Sequence, residues 1–241
     1  MGRNFENRKQ AILKRGAANN KAFTRATRQI TMAVKAGGGD PDANPTLRRA
    51  IQNANSVNMP KDRIKSAIER ALGVNDQENF EEALYEGYGP HGVAIIVDAA
   101  TDNVTRTVAN VRNAFKKGGG NLGAEGSVSF MFDRLGVFRL KPEGIEREEL
   151  ELELIDHGLE DMVDDQSEEG EDLIALRCAF ENFGSLQAAL EERKIEPVNS
   201  GFEWIPKSTT ELTEEQMDEV LKLIERLEED DDVQTVFHNV E

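Results

Sequence analysis

Glycine and proline determine where the helices of the N-terminal third begin and end. Residues 21–36 contain neither, and Gly37–Gly39 follow at once. A glycine closes a helix well because it adopts the left-handed conformation at little cost. Pro45 and Pro60 each suit the first turn of a further helix, and Gly73 ends the last one. The pattern therefore predicts a small module of three helices.

The helix at 21–36 has an apolar side and a cationic side. Phe23, Ile30 and Val34 recur at the spacing of one buried stripe. Like charges on one helix face repel one another, and a bound anion would remove that cost; a plain solvated face is the alternative. The cations of the second side are Lys21, Arg25, Arg28 and Lys35.

Cations also face outward from the other two helices and are frequent in the first twenty residues. Residues 1–20 have few apolar anchors, which is typical of a basic arm that orders on binding; a short helix packed on the next one is the alternative. We expect these cations to bind a polyanion. The candidate residues are Arg3, Arg8, Lys9, Lys14, Arg15, Lys21, Arg25, Arg28, Lys35, Arg48, Arg49, Lys61, Arg63 and Lys65.

Charge is distributed very unevenly along the chain. The whole chain has a net charge of −17, yet residues 1–75 have +10, residues 76–140 have −3 and residues 141–241 have −24. A basic end is attracted to polyanions and an acidic end is repelled by them. We therefore expect nucleic acid as the partner of the basic end. The alternative is that the basic and the acidic segments are both ordinary solvated surfaces.

The rest of the chain predicts an α+β fold with two further domains. After an acidic linker at 74–84, a strand at 93–97, a helix and a strand at 127–132 form half a domain. Residues 136–206 have the order βαββαβ, which is typical of a ferredoxin-like unit. The tail has a helix at 213–229 and a final strand, and we expect it to complete the half-domain. The predicted domains are 1–75, 76–133 plus 207–241, and 134–206.

The motifs of enzymes and metal proteins are weak or missing. Gly118, Gly120 and Gly123 have G-x-G-x-x-G spacing but lie between a helix and a strand, the wrong order for a nucleotide loop. Three scattered histidines and the single Cys178 make a zinc site improbable, and only His91 is a conceivable catalytic group. We expect no enzyme, no metal and no cofactor. We also expect a cytoplasmic protein, because we find neither a secretory signal nor a membrane span.

A nucleic-acid contact made by this module should be mainly electrostatic. Lysine and arginine bind phosphates, and polar side chains such as Gln29, Gln52 and Asn53 add hydrogen bonds. The only aromatic residues of the module are Phe5 and Phe23, and Phe23 is on the apolar side. Base stacking is therefore not indicated.

Long segments of the chain resemble the YebC family of bacterial proteins. They are KAFTRATRQITMAVKAGGGDPDANPTLRRAI, NMPKDRIKSAIERA, YEGYGPHGVAIIVD, TDNVTRTVANVRNAFKKGGGNLGAEGSVSFMF and GFEWIP. The resemblance covers nearly the whole chain, although many members begin with a GHSKW-type segment where this chain has GRNFENRKQ. It implies three domains with a discontinuous middle one, and a regulator of gene expression that is not an enzyme.

The resemblance does not determine which nucleic acid the protein binds. Some members are labelled DNA-binding transcriptional regulators, and others resemble translation factors that act on the ribosome. We favour ribosomal RNA, because no helix-turn-helix with an evident base-reading face is present and an acidic rear half suits docking into a defined cavity. A protein-interaction adaptor that works through the acidic domains is the alternative. The oligomeric state is not predicted.

Overall fold

The computed structural model describes residues 3–73, 79–167 and 170–241, with side chains from residue 20 onward. Its mixture of helices and two antiparallel sheets confirms the predicted α+β class. The helices are α1 (Arg3–Gly37), α2 (Pro45–Ser56), α3 (Lys61–Leu72), α4 (Val104–Lys117), α5 (Arg147–Ile155), α6 (Phe183–Glu192) and α7 (Glu214–Glu228). The strands are β1 (Glu81–Tyr88), β2 (Ala94–Thr101), β3 (Asn121–Leu122), β4 (Phe132–Leu140), β5 (Leu159–Gln166), β6 (Asp172–Ala179), β7 (Asn199–Pro206) and β8 (Val233–His238).

Helices α1 to α3 pack together as a helical unit. Their shared core includes the fully buried Ile30 and Leu47. The buried Asn44 connects the helices: its Oδ1 accepts the Leu47 N–H at 3.1 Å, and its Nδ2 donates to the Ala33 and Gly38 carbonyls, each at 2.8 Å. This N-cap fixes where α2 begins.

Helix α1 is longer than the sequence predicts. It begins at Arg3 and continues without a break to Gly37, so residues 3–20 belong neither to an arm nor to a separate short helix. The segment has few apolar residues, which hid the continuation, because helix prediction from sequence relies on a periodic apolar stripe.

The first sheet has the strand order β3-β1-β2-β8. Helices α4 and α7 cover one face, where Val97, Phe115 and Leu223 are fully buried. Strand β8 pairs with β2, for example Phe237 with Ile96. The tail and residues 81–122 therefore share one sheet, while the division of the chain into domains stays a prediction.

Two local predictions about this sheet were wrong. Residues 81–84 are part of β1 rather than of a linker; this first half of the strand is largely exposed, which made it look polar. Residues 127–132 are not a strand, because Ser129–Met131 form a 3-10 turn and β4 starts at Phe132. The buried Glu86 carboxylate accepts N–H bonds from Val128 and Ser129, each at 2.8 Å, which takes these donors away from a strand ladder.

The second sheet has the order β5-β6-β4-β7 with every pair antiparallel. With α5 and α6 on one face, this is the arrangement of a ferredoxin-like βαββαβ unit. The core between sheet and helices contains the buried Phe138, Leu150, Leu176 and Leu186. A Cβ atom at Gly136 would lie 2.5 Å from the Phe183 ring, so only glycine fits there.

Candidate nucleic-acid interface

The cationic side of α1 faces the first sheet. Arg25 Nε donates to the Val233 carbonyl at 3.0 Å, and its guanidinium lies 3.4 Å from the Glu228 carbonyl. Lys21 Nζ contacts that same carbonyl at 3.4 Å. These carbonyls lie where α7 ends and β8 begins, and cations are stabilised near a helix C-terminus. Two of the predicted polyanion contacts therefore bind the chain itself.

Arg28 makes the largest set of contacts in this stripe. It donates to the carbonyls of Ala100 at 2.8 Å and Asp231 at 2.6 Å, and pairs with the Asp232 carboxylate at 2.9 Å. Its guanidinium also lies 5.0 Å from the centre of the Phe80 ring. With only 13% of its side chain exposed, Arg28 is a structural residue in this conformation.

Asp232 is the acceptor on which these contacts converge. Its side chain is 3% exposed and also accepts from Arg106 at 2.7 Å and from Thr107 at 2.6 Å. Burial alone would raise the pKa of this carboxyl. The hydrogen bonds from Arg106 and Thr107, with the Arg28 charge, outweigh burial and lower the pKa.

Helix α2 uses its polar side chains on the second sheet. Asn53 Nδ2 donates to the Ser200 carbonyl at 2.8 Å, and Asn53 Oδ1 accepts the Ser200 N–H at 3.0 Å. Gln52 Nε2 donates to the Pro197 carbonyl at 2.7 Å. Both amides were expected to contact nucleic acid, and the structure places them between the helical unit and residues 197–200, where β7 begins.

The two arginines of α2 contact α6 and β7 of the ferredoxin-like unit. Arg48 pairs with Glu191 at 3.3 Å, with both side chains about half exposed. Arg49 lies over the rings of Phe183 and Phe202, at 5.1 and 5.5 Å from their centres. Burial lowers the pKa of Arg49, and only the charge of Glu82 opposes that shift.

Helix α3 is the part of the helical unit that leaves its cations in solvent. Lys61, Arg63 and Lys65 are all exposed. Arg63 lies 5.3 Å from the centre of the Phe23 ring, and Lys65 has a long contact of 3.8 Å with Glu69. An exposed pair of this kind contributes little and leaves the ammonium available.

Two groups of candidate residues remain to be placed. Lys35, at the last turn of α1, is exposed, and its Nζ donates to Asn79 Oδ1 at 3.2 Å. The other group belongs to the N-terminal half of α1, where the side chains lie outside the described residues. Its members are Arg3, Arg8, Lys9, Lys14 and Arg15.

Comparison with known proteins assigns the chain to a family. Residues 3–74 match the TACO1/YebC protein N-terminal domain, and residues 80–240 match the TACO1/YebC second and third domain. The chain belongs to the TACO1/YebC family. The resemblance predicted from the sequence is therefore confirmed.

Relatives of this TACO1/YebC protein match along its whole length. A probable transcriptional regulatory protein of Anaeromyxobacter dehalogenans (strain 2CP-1) is 56% identical over 240 residues, which cover 100% of both chains. A protein of the same description from Myxococcus xanthus is 54% identical with the same coverage. The crystal structure of a conserved hypothetical protein, Aq1575, from Aquifex aeolicus has a TM-score of 0.77 at 40% identity and covers 92% of this chain and 90% of that one.

The groups that could have suggested catalysis have ordinary surroundings in this family member. His91 Nε2 lies 2.9 Å from Glu219 Oε2 at the surface, and its φ of 60° belongs to the turn between β1 and β2. Burial, with a smaller contribution from Glu160, raises the pKa of the Cys178 thiol to about 11, so it is not a nucleophile near neutrality. Within residues 3–73, 79–167 and 170–241, no helix is long and apolar enough to cross a membrane.

An aromatic cluster that the sequence did not predict lies where the helical unit and the two sheets meet. The guanidinium of Arg134 lies over the rings of Phe180, Phe202 and Trp204, at 5.2, 5.6 and 5.8 Å from their centres. Phe202 and Trp204 alternate along β7, which signals a shared face. Nothing in the sequence gives the register that places Arg134 opposite Trp204.

Asp98 in β2 is a largely buried carboxylate close to this cluster. Burial and the charge of Glu82 raise its pKa to about 6, although Arg134 and the Ala99 N–H oppose the shift. The charged form is therefore disfavoured in the folded protein. Asp98 costs stability at neutral pH, which is the opposite of the effect of Asp232.

We expect Asp232→Asn to lower the free energy of unfolding by about 3–5 kcal/mol, because the buried Arg28 would lose its charged partner. Arg106→Gln is the matched control. It removes another arginine from the same carboxylate, but that arginine is 47% exposed, so we expect a cost of about 1 kcal/mol or less. Urea unfolding measures both. If the two substitutions lower the free energy of unfolding equally, burial of the Arg28–Asp232 pair is not the reason that this pair stabilises the fold.

We expect Asp98→Asn to raise the free energy of unfolding near pH 7 by at most about 3 kcal/mol. The folded-state pKa lies above the unfolded one, so the wild-type carboxyl binds its extra proton between about pH 4 and 6. The advantage of Asn should therefore shrink as the pH falls through 6 and vanish near pH 4. Thermal or urea unfolding against pH tests this. The exposed Asp133→Asn should change stability by less than about 1 kcal/mol at either pH.

Proposed function

We propose that this protein is a nucleic-acid-binding regulator of gene expression that contacts its polymer through α3 and the N-terminal half of α1. The observation that carries the proposal is that some cations of the helical unit contact the protein itself while others are exposed to solvent. Lys21, Arg25 and Arg28 bind the first sheet and the end of α7, and Arg48 and Arg49 contact the ferredoxin-like unit, whereas α3 leaves its cations in solvent. Among the described side chains of the helical unit, the basic ones of α1 and α2 contact other parts of the protein, whereas those of α3 are exposed to solvent.

The exposed face of α3 suits phosphate binding rather than base reading. Its sequence, KDRIKSAIERAL, contains no asparagine or glutamine, the usual readers of adenine. Arg63 rests on the Phe23 ring, which limits its rotamers and lowers the entropy lost on binding. The contact is therefore electrostatic and directed by the shape of the polymer.

Charge distribution favours structured RNA over duplex DNA. Residues 141–241 have a net charge of −24, so a long regular polyanion that passed both ends of the molecule would be repelled at one of them. A defined cavity, such as one in the ribosome, accepts the basic end and leaves most of the acidic end outside. We therefore propose a cytoplasmic, ribosome-associated translation factor without catalytic activity. The relatives are described as probable transcriptional regulatory proteins, and a DNA-binding transcriptional regulator is the competing form of the proposal.

A second candidate function is a protein-interaction adaptor, and one surface favours it. On α5, Leu152 is 72% exposed and Ile155 is 54% exposed, one turn apart. Glu148, Glu151 and Asp156 surround them on the exposed side of the helix. An apolar pair within an acidic rim fits a basic amphipathic segment of another protein.

Reversing Lys61, Arg63 and Lys65 together to glutamate should abolish binding to ribosomes and to RNA at moderate salt. For wild type, we expect the logarithm of the binding constant to fall with the logarithm of salt concentration. Each phosphate contact adds roughly 0.7 to 0.9 to the slope. Co-sedimentation with ribosomes at graded salt, with and without nuclease, measures this, and random duplex DNA is the parallel ligand.

The control for that experiment reverses three exposed lysines outside the helical unit, Lys141, Lys194 and Lys207. It changes the net charge equally and should leave binding nearly unchanged. If both triple variants lose affinity equally, net charge and not α3 governs binding. Tighter binding to duplex DNA than to ribosomes would support the transcriptional form.

The adaptor function is tested with a full-length variant that combines Leu152→Glu and Ile155→Glu. Cross-linking in cells that captures a protein in wild type and loses it in this variant, while nuclease has no effect, supports the adaptor. The matched control is Leu221→Glu, which places the same charge on an exposed apolar site of α7. Unchanged capture in the α5 variant contradicts this function.

A further inference from the structure

Four phenylalanine rings form a continuous stack from the core of the second sheet to the surface. We call Phe138, Phe183, Phe202 and Phe180 the aromatic column. Successive ring centres lie 4.4, 4.6 and 4.6 Å apart, with interplanar angles of 25°, 45° and 35°. These distances are those of favourable aromatic pairs.

The column changes from buried to exposed along its length. Phe138 is fully buried, Phe183 is 5% exposed, Phe202 is half-buried and Phe180 is 49% exposed. Single exposed aromatic residues are ordinary on protein surfaces. Here, however, the exposed ring is the last member of a stack whose inner members are fixed by the core. A further flat ring could extend the stack at Phe180 with little loss of conformational entropy in the protein.

Arginines line the same column. Arg134 is exposed and lies 5.2 Å from the centre of the Phe180 ring, and Arg49 lies on the inner rings. Guanidinium groups stack on nucleobases as well as on phenyl rings. Glu82 and Asp98 lie in the field of these two arginines, so the cluster has no large excess of positive charge. Affinity at this place would come from stacking more than from phosphate attraction.

We propose that Phe180 and Arg134 form a stacking site for an unpaired base of a single-stranded nucleic acid. The inference rests on the proposed nucleic-acid-binding function and narrows its substrate to strands with accessible bases. Paired bases inside a duplex cannot present a free face to Phe180, whereas every unpaired base can. The site is tolerant of sequence, because it reads a flat ring and no hydrogen-bonding edge.

Trp204 reports on this site directly. It is the only tryptophan of the chain and lies under the same guanidinium as Phe180. We expect oligouridylate or oligothymidylate of about 12 nucleotides to change Trp204 fluorescence in full-length wild type. Inorganic polyphosphate of similar charge has no bases, so it should compete for α3 and leave the fluorescence unchanged. Comparing the uridylate and thymidylate arms shows whether RNA or DNA is preferred.

Phe180→Leu keeps an apolar side chain and removes the ring. It should weaken oligouridylate binding roughly 5- to 150-fold and leave polyphosphate binding unchanged. Arg134→Lys keeps the charge and removes the planar group, and it should weaken the same step. Leu221→Ala, which removes exposed apolar surface on α7, is the matched control and should behave as wild type. The wild-type fluorescence measurement needs no variant, so it stands even if a substitution disturbs folding.

The outcomes separate this inference from the function on which it rests. Oligouridylate binding that leaves Trp204 fluorescence unchanged and is insensitive to Phe180→Leu would overturn the stacking site and leave the proposed function intact. Equal affinity for duplex and single strands would overturn it as well. If neither oligonucleotide nor polyphosphate binds at low salt, the proposed function itself fails and the stacking site with it. A fluorescence change with a proline-rich or aromatic peptide in place of the oligonucleotide would assign the column to a protein partner.

Discussion

The arrangement of the helical unit on the first sheet depends on one buried ion pair, Arg28 with Asp232. The carboxylate alone would be costly at 3% exposure, and it is stable there because two arginines and a threonine donate to it at 2.6–2.9 Å. Arg28 comes from α1, and Arg106 and Thr107 come from α4. A single side chain therefore connects α1, α4 and the turn before β8, and the cationic side of α1 has an acceptor within its own chain.

That constraint explains how a chain with a net charge of −17 can still present a basic surface. The basic helices are drawn to the acidic half by the same attraction that would draw them to a phosphate backbone. The fold uses part of this attraction to hold the units together, through the Arg28–Asp232 pair at the first sheet and the Arg48–Glu191 pair at α6. What remains in solvent is a smaller and more localised cationic face on α3.

The sequence predicted elements whose signals are local and missed features that depend on distant partners. Asn44 before Pro45 located α2, because a cap and its helix are neighbours in the chain. Periodicity could not correct the outward direction assigned to Arg25 and Arg28. It distinguishes the apolar face of a helix from the polar face, but it does not show whether the polar face meets solvent or another part of the protein. The turn at 129–131 and the aromatic column likewise depend on Glu86 and on the register of β7, which are set by packing across the molecule.

The pairing of β2 with β8 has a consequence for how the chain is made. Strand β8 comes after all the strands of the second sheet in the sequence. Strand β2 therefore leaves the ribosome long before β8, with which it pairs, has been synthesised. The ferredoxin-like unit contains all of its own strands and can fold first, while one edge of β2 stays open. The site that receives Arg28 is finished only when Asp232 emerges. The order of synthesis thus delays the joining of the helical unit to the first sheet until almost everything else is in place.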